Sequence, residues 1–330
     1  MPPLVREMAY GLLKLRLTML GTLALVIGAS TLFLAVVMSL VGTFDIFTLV
    51  GLVVAFNLIQ WLIAPYLVNA MYSVREVPVN ESPELHGMLQ RISEKAGLRP
   101  PKLYISPLSL PNAFAYGSPL TGSRVCVTQG LMNTLEPEEV EAVLGHELGH
   151  LRHRDVQLML FVSVLPAIFY YIGYSLMWSG MLYGDRRNKG GGSAAAIGLV
   201  ALLAYFVLNL LVLGLSRTRE LYADRHGAEV VDDGARKLSE ALAKLDAYGR
   251  RGRTMPRSQT QVLGFKSLLI VDPDTSSGAS ARGLSDEELV REVANRRLTA
   301  SDRLWEIFST HPNIVKRIRA LQELASSQPR

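Results

Sequence analysis

Four long apolar runs dominate the chain. Thr18 to Val41 carries no charge, and Ile46 to Val68 is interrupted only by Asn57, Gln60 and Pro65. Leu158 to Tyr183 is rich in Tyr and Trp toward its end, and Ala194 to Leu215 is the fourth run. Each exceeds the ~20 residues that cross a ~30 Å hydrocarbon layer as a helix. A single such run reads equally well as a buried core helix. Four together, two with Trp or Tyr near an end, predict transmembrane helices. Arg6, Lys14 and Arg16 precede the first run, which lacks a suitably placed small-residue cleavage site, so it reads as a retained anchor.

An even number of spans puts both termini on one side. Near the spans that side carries Arg6, Lys14, Arg16, Arg75, Arg152, Arg154, Arg217, Arg219 and Arg225, against Arg186, Arg187 and Lys189 opposite. The excess of positive charge predicts cytoplasmic termini in a multi-pass cell-membrane protein. The expected organisation is an N-terminal hairpin over 1–68, a polar part over 69–155, a second hairpin over 156–215 and a second polar part over 216–330. Gly190 to Ser193 reads as a flexible turn inside the second hairpin.

In the polar parts the periodicity changes. Ser82 to Ala96 is helical and stops at Gly97. Lys102 to Ile105 and Arg124 to Thr128 read as short strands, and Asn112 to Tyr116 between them as extended. Pro137 opens a helix with Glu138 and Glu139 in its first turn, running to about His153. Ser216 to Val230 continues the fourth span as a helix, and Ala235 to Tyr248 is another. Gly249 to Arg257 is a basic loop and Phe265 to Val271 a short strand; a capping box at Ser285 and Pro312 open the last two helices.

Composition sharpens this picture. The 330 residues are 49% hydrophobic and 19% charged, with a mean hydropathy of +0.23. The excess is concentrated in the four runs, which excludes a wholly soluble enzyme and a disordered chain. The net charge of +5 is scattered among acids, with no basic tract threaded by aromatics. That argues against nucleic acid as a partner and for a bilayer surface. Cys126, the lone cysteine, excludes an intramolecular disulfide.

The sharp chemical signal is His146-Glu147-Leu148-Gly149-His150. On a helix the two histidines stand one turn apart on one face, able to grip one metal ion, with Glu147 beside it as a base for water. Catalytic zinc usually takes three protein ligands. His153 is seven residues past His146, about 10.5 Å along a straight helix, and reads instead as a polar residue at the membrane surface. Glu220 fits better. The helix of His150 runs into the third span and the fourth returns toward Glu220, so both lie on the order of 10 Å outside one membrane face. Asp224, one turn further, is placed to orient a ligand imidazole.

HELGH on a helix, followed through two spans by SRTRELYADRHGAEV, resembles the membrane-bound zinc metallopeptidases of family M48, of the HtpX type. PNAFAYG at Pro111 to Gly117, VTQGLMNTL after the second strand and FSTHPNIVKRIRAL at Phe308 to Leu321 match too, so the likeness covers most of the chain from about Val74 onward. It implies an α+β, mostly helical integral membrane protein, with four transmembrane helices and a gluzincin-type zinc protease domain holding a small β-sheet. It also implies membrane-protein quality control, and makes His311 and Arg317 candidates for stabilising the reaction's oxyanion; Tyr222 and His226 are others.

The expected reaction is peptide-bond hydrolysis, with one Zn²⁺ per chain held by His146, His150 and Glu220 and with Glu147 as the base. Asn112, Ala113, Phe114 and Ala115 are expected to form an edge strand that binds an extended substrate through its backbone. Unfolded segments of membrane proteins suit such a site. Three other readings compete. A CAAX-type prenyl-protein protease shares the motif but has more spans. An intramembrane site-2-type protease buries its motif in an apolar span, whereas Arg152, His153 and Arg154 follow this one. A membrane scaffold with structural zinc would have no need of Glu147.

Overall fold

The computed structural model describes residues 45–118, 120–153, 190–251, 284–309 and 311–327, with isolated positions between 17 and 38 and between 162 and 178. The chain divides into two compact units. The first comprises Met1–Ala64 and Leu158–Leu215, the second Pro65–Gln157 and Ser216–Arg330.

The first unit contains most of helix α1, Ile46–Tyr72, whose 27 residues carry no charged side chain. It also contains the N-terminal part of a 41-residue helix, numbered α5 below, Gly190–Val230. Its described core is Val162, Phe169, Ala201, Leu208, Val212 and Leu215, with Phe56, Ala204 and Tyr205 packed against them. Among the described residues, Ile197–Val230 is long and apolar enough to cross a membrane. Most of the first and third predicted spans lies outside the described residues. The turn expected at Gly190 to Ser193 is instead the opening of α5. Glycine is a poor helix former, but the long apolar run behind it propagates the helix, and the first turn's N–H groups lack intrahelical acceptors anyway.

The second unit is mostly helical with a small mixed sheet. Strand β1 is Arg75–Glu76; helix α2 is Pro83–Ala96; β2 is Lys102–Ser106, β3 Ala113–Ser118 and β4 Gly122–Thr128. The sheet order is β1-β2-β4-β3, with β2 and β4 parallel and the other pairs antiparallel. Among the described residues β3 is thus an edge strand, in register Phe114 to Cys126 and Tyr116 to Arg124. Gly97 ends α2 in the left-handed region at φ 66°. Thr128 Oγ1 accepts from the Leu131 N–H and so starts helix α3, Gln129–Thr134.

Helix α4, Pro137–Arg152, opens on a reciprocal capping box between Glu136 and Glu139 with Pro137 behind it. The sequence predicts Pro137 and the acidic first turn; the box at Glu136 is an addition of the structure. Helix α6 is Gly234–Arg251, α7 Asp286–Ala294, α8 Ala300–Ile307 and α9 Ile314–Ser327. α6 packs on α4, α7 and α9. The buried side chains Leu144, Leu148, Leu238, Leu242, Val293, Ile318 and Leu321 form this core. The expected strand at Phe265 to Val271 and most of the loop at Gly249 to Arg257 lie outside the described residues.

α4 and the C-terminal part of α5 touch almost backbone to backbone. A Cβ at Gly227 would lie 2.9 Å from the His146 nitrogen, and one at Gly149 would lie 3.0 Å from the Ala223 Cα. A side chain at Gly227 would force a shift, and one at Gly149 would crowd its neighbours. Gly227→Ala should therefore destabilise the protein by about 1–3 kcal/mol, the usual cost of overpacking, with a matching drop in the thermal midpoint of the metal-free protein in detergent.

Candidate metal centre

The close approach brings together side chains that are distant in sequence. His146 and His150 project one turn apart from α4, their rings 4.9 Å between centroids and near-perpendicular at 85°. Glu220 reaches them from α5. Its Oε2 lies 3.5 Å from His146 Nε2 and its Oε1 3.4 Å from His150 Nε2. One donor atom from each residue falls within 4.8 Å of the other two, and all three residues are buried. Glu220 Oε2 makes no hydrogen bond. Around it stand His146 Nε2, His311 Nε2 and Arg317 Nη1, each at 3.5 Å. A buried carboxylate oxygen left in that condition, facing two imidazole nitrogens, fits a divalent cation of the zinc type in donor chemistry and spacing.

Two different groups hold the imidazoles. His146 Nδ1 lies 2.9 Å from Asp224 Oδ1. A carboxylate there favours the tautomer that keeps its proton on Nδ1 and leaves the Nε2 lone pair free for a metal. Asp224 is in turn clamped by Arg317, whose Nε and Nη2 donate to its two oxygens at 2.8 and 2.6 Å. His150 Nδ1 instead lies 3.2 Å from Arg219 Nη2. A guanidinium only donates. Cation binding at His150 Nε2 puts the ring proton on Nδ1, so Arg219 must then turn away from it.

Glu147 is buried beside this cluster, and its Oε2 accepts the Ala115 N–H at 2.8 Å. That bond ties the expected base to the edge strand. β4 lies on one side of β3, and the Ala115 N–H on the other side is already committed to Glu147. Asn112 is buried as well, with its N–H donating to Thr128 Oγ1 at 2.9 Å.

Electrostatics separates the three carboxylates. Burial raises the Glu147 pKa above the ordinary range, against the pull of His150 and His146. Burial alone would also raise Glu220, but His311, His146 and His150 outweigh it and hold the carboxyl well below the usual range. Burial opposes Asp224 ionisation too, and Arg317 reverses the balance. His311 is driven down to about 4, chiefly by burial, so it is neutral near pH 7.

The remaining expected residues fall in two places. Arg317, expected at the oxyanion, has its charge engaged by Asp224 and Glu220. Tyr222 and His226 stand with His153, whose ring lies 6.2 and 6.3 Å from theirs. His153 caps the C-terminus of α4. The reading by sequence missed two neighbours of the site, Arg219 beside His150 and the Ala115 N–H on Glu147. Arg219 adjoins Glu220 but counts by sequence only as a membrane-side charge. A second acidic group, Glu139, Glu240 and Asp286, has metal-like spacing. The Lys244 ammonium already sits 2.8 Å from Glu139 and 3.0 Å from Asp286, in the place a cation would take.

Two imidazoles and a carboxylate converging beside a second, buried carboxylate of raised pKa define a metallopeptidase. Comparison with known proteins gives the same class: the model for peptidase family M48 matches residues 80–325, and the chain belongs to that family. Its relatives are of the HtpX type. A "Protease HtpX homolog" of Thermoplasma acidophilum is 38% identical over 290 residues, covering 84% of this chain and 86% of that protein. The Aeropyrum pernix homolog is 39% identical over 313 residues, 94% of this chain and 96% of its own. That of Thermoplasma volcanium is 34% identical over 330 residues, 99% of each. Among solved structures, the crystal structure of S. mikatae Ste24p aligns with 94% of this chain and 66% of its own, at 17% identity and a TM-score of 0.47. The protein is a metalloprotease that acts on polypeptides.

His226 offers a check on the environment beside the site. Burial, helped by Arg152 and His153, lowers its pKa to about 4. In the unfolded chain the ring protonates near pH ~6.5. Between those values the unfolded state binds the extra proton, so acidification destabilises the fold. Chelated protein should lose stability as pH falls from about 6.5 to about 4, and His226→Gln should flatten that loss in detergent melts read across the same window.

Proposed function

We propose that this metalloprotease is a zinc-dependent endopeptidase of the cell membrane, cleaving unfolded or membrane-associated polypeptides at the cytoplasmic face as a quality-control enzyme. The observation that carries the catalytic part is the convergence of His146, His150 and Glu220 with Glu147 held on the edge strand. In this reading those three hold one Zn²⁺. What zinc supplies when bound is Lewis acidity, which polarises a scissile carbonyl and acidifies water.

The chain's own residues do the rest. Glu147 takes the proton of the attacking water and passes it to the leaving amine. Burial raises its pKa, which favours uptake of the water's proton. The Ala115 N–H fixes Oε2 and leaves Oε1 for the proton. Asp224, anchored by Arg317, orients His146. His311 is neutral near pH 7 and can donate a hydrogen bond to a developing oxyanion. Substrate lies extended along β3, over Asn112 to Ala115, joined by those backbone groups of the strand that neither β4 nor Glu147 holds, in bonds that are indifferent to sequence. That indifference suits unfolded chains.

The membrane part rests on exposed apolar surface. Phe47, Val50, Val54 and Leu58 on α1, and Leu199, Leu203 and Val207 on α5, all project outward. Such faces are stable against lipid and not against water. α1, α5 and the two other predicted runs make four spans.

Purified protein should carry about one zinc per chain. Glu147→Gln should keep the metal and lose about 10²–10⁴ of casein-hydrolysing activity, whereas Glu220→Ala should lose metal and activity together. A Glu220→Ala variant that binds zinc and cleaves casein as the parent does would remove Glu220 from the ligand set. Orientation has its own test. Labelling of a Cys placed at Ser193 by an impermeant maleimide should proceed only from outside intact cells; labelling only from inside would reverse the topology.

A further inference from the structure

Helix α8, Ala300–Ile307, is built inside out. Thr299 and Asp302 close a capping box at its start. Its polar face, Asp302 and Glu306, turns toward the protein and is partly buried. Glu306 accepts from the Asn313 N–H at 3.1 Å and from Lys316 Nζ at 2.5 Å. No residue of the helix is buried. Leu304 is 63% exposed, Trp305 69%, Ile307 44% and Phe308, its C-cap, 51%. In water an amphipathic helix presents the opposite face. A contiguous group of this size, with a Trp in it, marks a surface that meets another apolar phase.

The position of the helix end says which phase. Arg217 Nη1 donates to the carbonyls of Glu306, Ile307 and Ser309 at 2.9, 2.8 and 2.8 Å. One side chain thus caps the C-terminal end of α8 and fixes it in place. Arg217 follows Leu215, the last residue of the fourth predicted span, by two positions. At helical rise it stands about 3 Å beyond that span. Trp and Phe are the side chains that favour the lipid–water boundary, and the exposed Arg303 on the flank of α8 suits headgroup phosphates.

We propose that α8 is a membrane-surface helix, with Leu304, Trp305, Ile307 and Phe308 inserted at the headgroup–acyl boundary and Arg217 as its tether. The proposal rests on the membrane reading above and extends it. The helix belongs to the same unit as the metal centre, and His311 follows Phe308 by three residues. Its insertion would hold that residue at the bilayer, where membrane-bound chains are met.

The chain has three tryptophans, Trp61, Trp178 and Trp305, the first two in predicted spans. The test uses full-length protein in phosphatidylcholine vesicles, with or without bromine on the upper acyl chain. Trp61→Phe with Trp178→Phe leaves Trp305 as sole reporter; Trp61→Phe with Trp305→Phe leaves Trp178. Retained casein hydrolysis verifies each fold. The expected result is a blue shift of Trp305 emission on reconstitution and quenching by the brominated lipid. Quenching of Trp178 with an unmoved Trp305 would overturn the proposal and leave the membrane reading standing. Absence of quenching at both would overturn the membrane reading itself and the proposal with it. Protection of Trp305 by reduced, carboxymethylated casein, with no response to lipid, would make the face a substrate surface and also overturn it. A bimane label at Leu304→Cys, in a Cys126→Ala background, asks the same question without touching Trp61 or Trp178, with the same opposing outcomes.

Discussion

The metal centre depends on how closely α4 and α5 approach. Three donor atoms from two helices must fall within 4.8 Å of one another, and helices bearing ordinary side chains pack with axes 8–10 Å apart. Gly149 and Gly227 remove the obstacle at two places where a Cβ would crowd a backbone atom of the other helix. The sequence neighbours of the ligands are therefore as constrained as the ligands. In HELGH the glycine is a spacer whose absent side chain lets Glu220 reach the imidazoles.

The second constraint is charge. Glu147, Glu220 and Asp224 are all nearly inaccessible, as are His146, His311 and Arg317. Burying so many ionisable groups is costly unless each finds a partner, and removal of one partner leaves another charge stranded. Arg317 is the fixed cation of this group. It holds Asp224 through two hydrogen bonds and stands 3.5 Å from Glu220. A full resident charge from a divalent ion would complete the neutralisation of Glu220, whose Oε2 has no hydrogen bond otherwise. Glu147 differs because its burial is countered less strongly, and its carboxyl pKa rises while the other two fall. Burial thus acts alike on all three; charged neighbours keep two of them as anions, and the third is left with a raised pKa.

Much of this was legible in the sequence, for identifiable reasons. α4 announces itself by Pro137, two acidic residues in the first turn and a regular apolar stripe. That Glu220 would meet His146 and His150 follows from the lengths of two apolar runs and the rise of a helix, without any likeness to other proteins. What was not legible is whatever depends on side-chain direction across long sequence separations. Arg219 against His150 and the Ala115 N–H against Glu147 have no local pattern. β1, two residues long, and α3, six, are too short to show a period. Gly190 to Ser193 reads as a turn by composition, and the long helix behind it prevails over local preference.

α8 was missed for a different reason. Hydrophobic periodicity finds helices on the premise that the apolar stripe faces the core and the polar stripe the solvent. In α8 the polar stripe is the one that docks, through Glu306 to Lys316 and the Asn313 N–H, and Arg217 closes its end. Polar bonds replace apolar burial as the means of attachment, and the apolar side chains are left over. That inversion is unfavourable beside water and favourable beside lipid, so the two readings of the sequence are coupled. On the proposed membrane reading, a lipid surface is the environment in which an inside-out helix is the right way round.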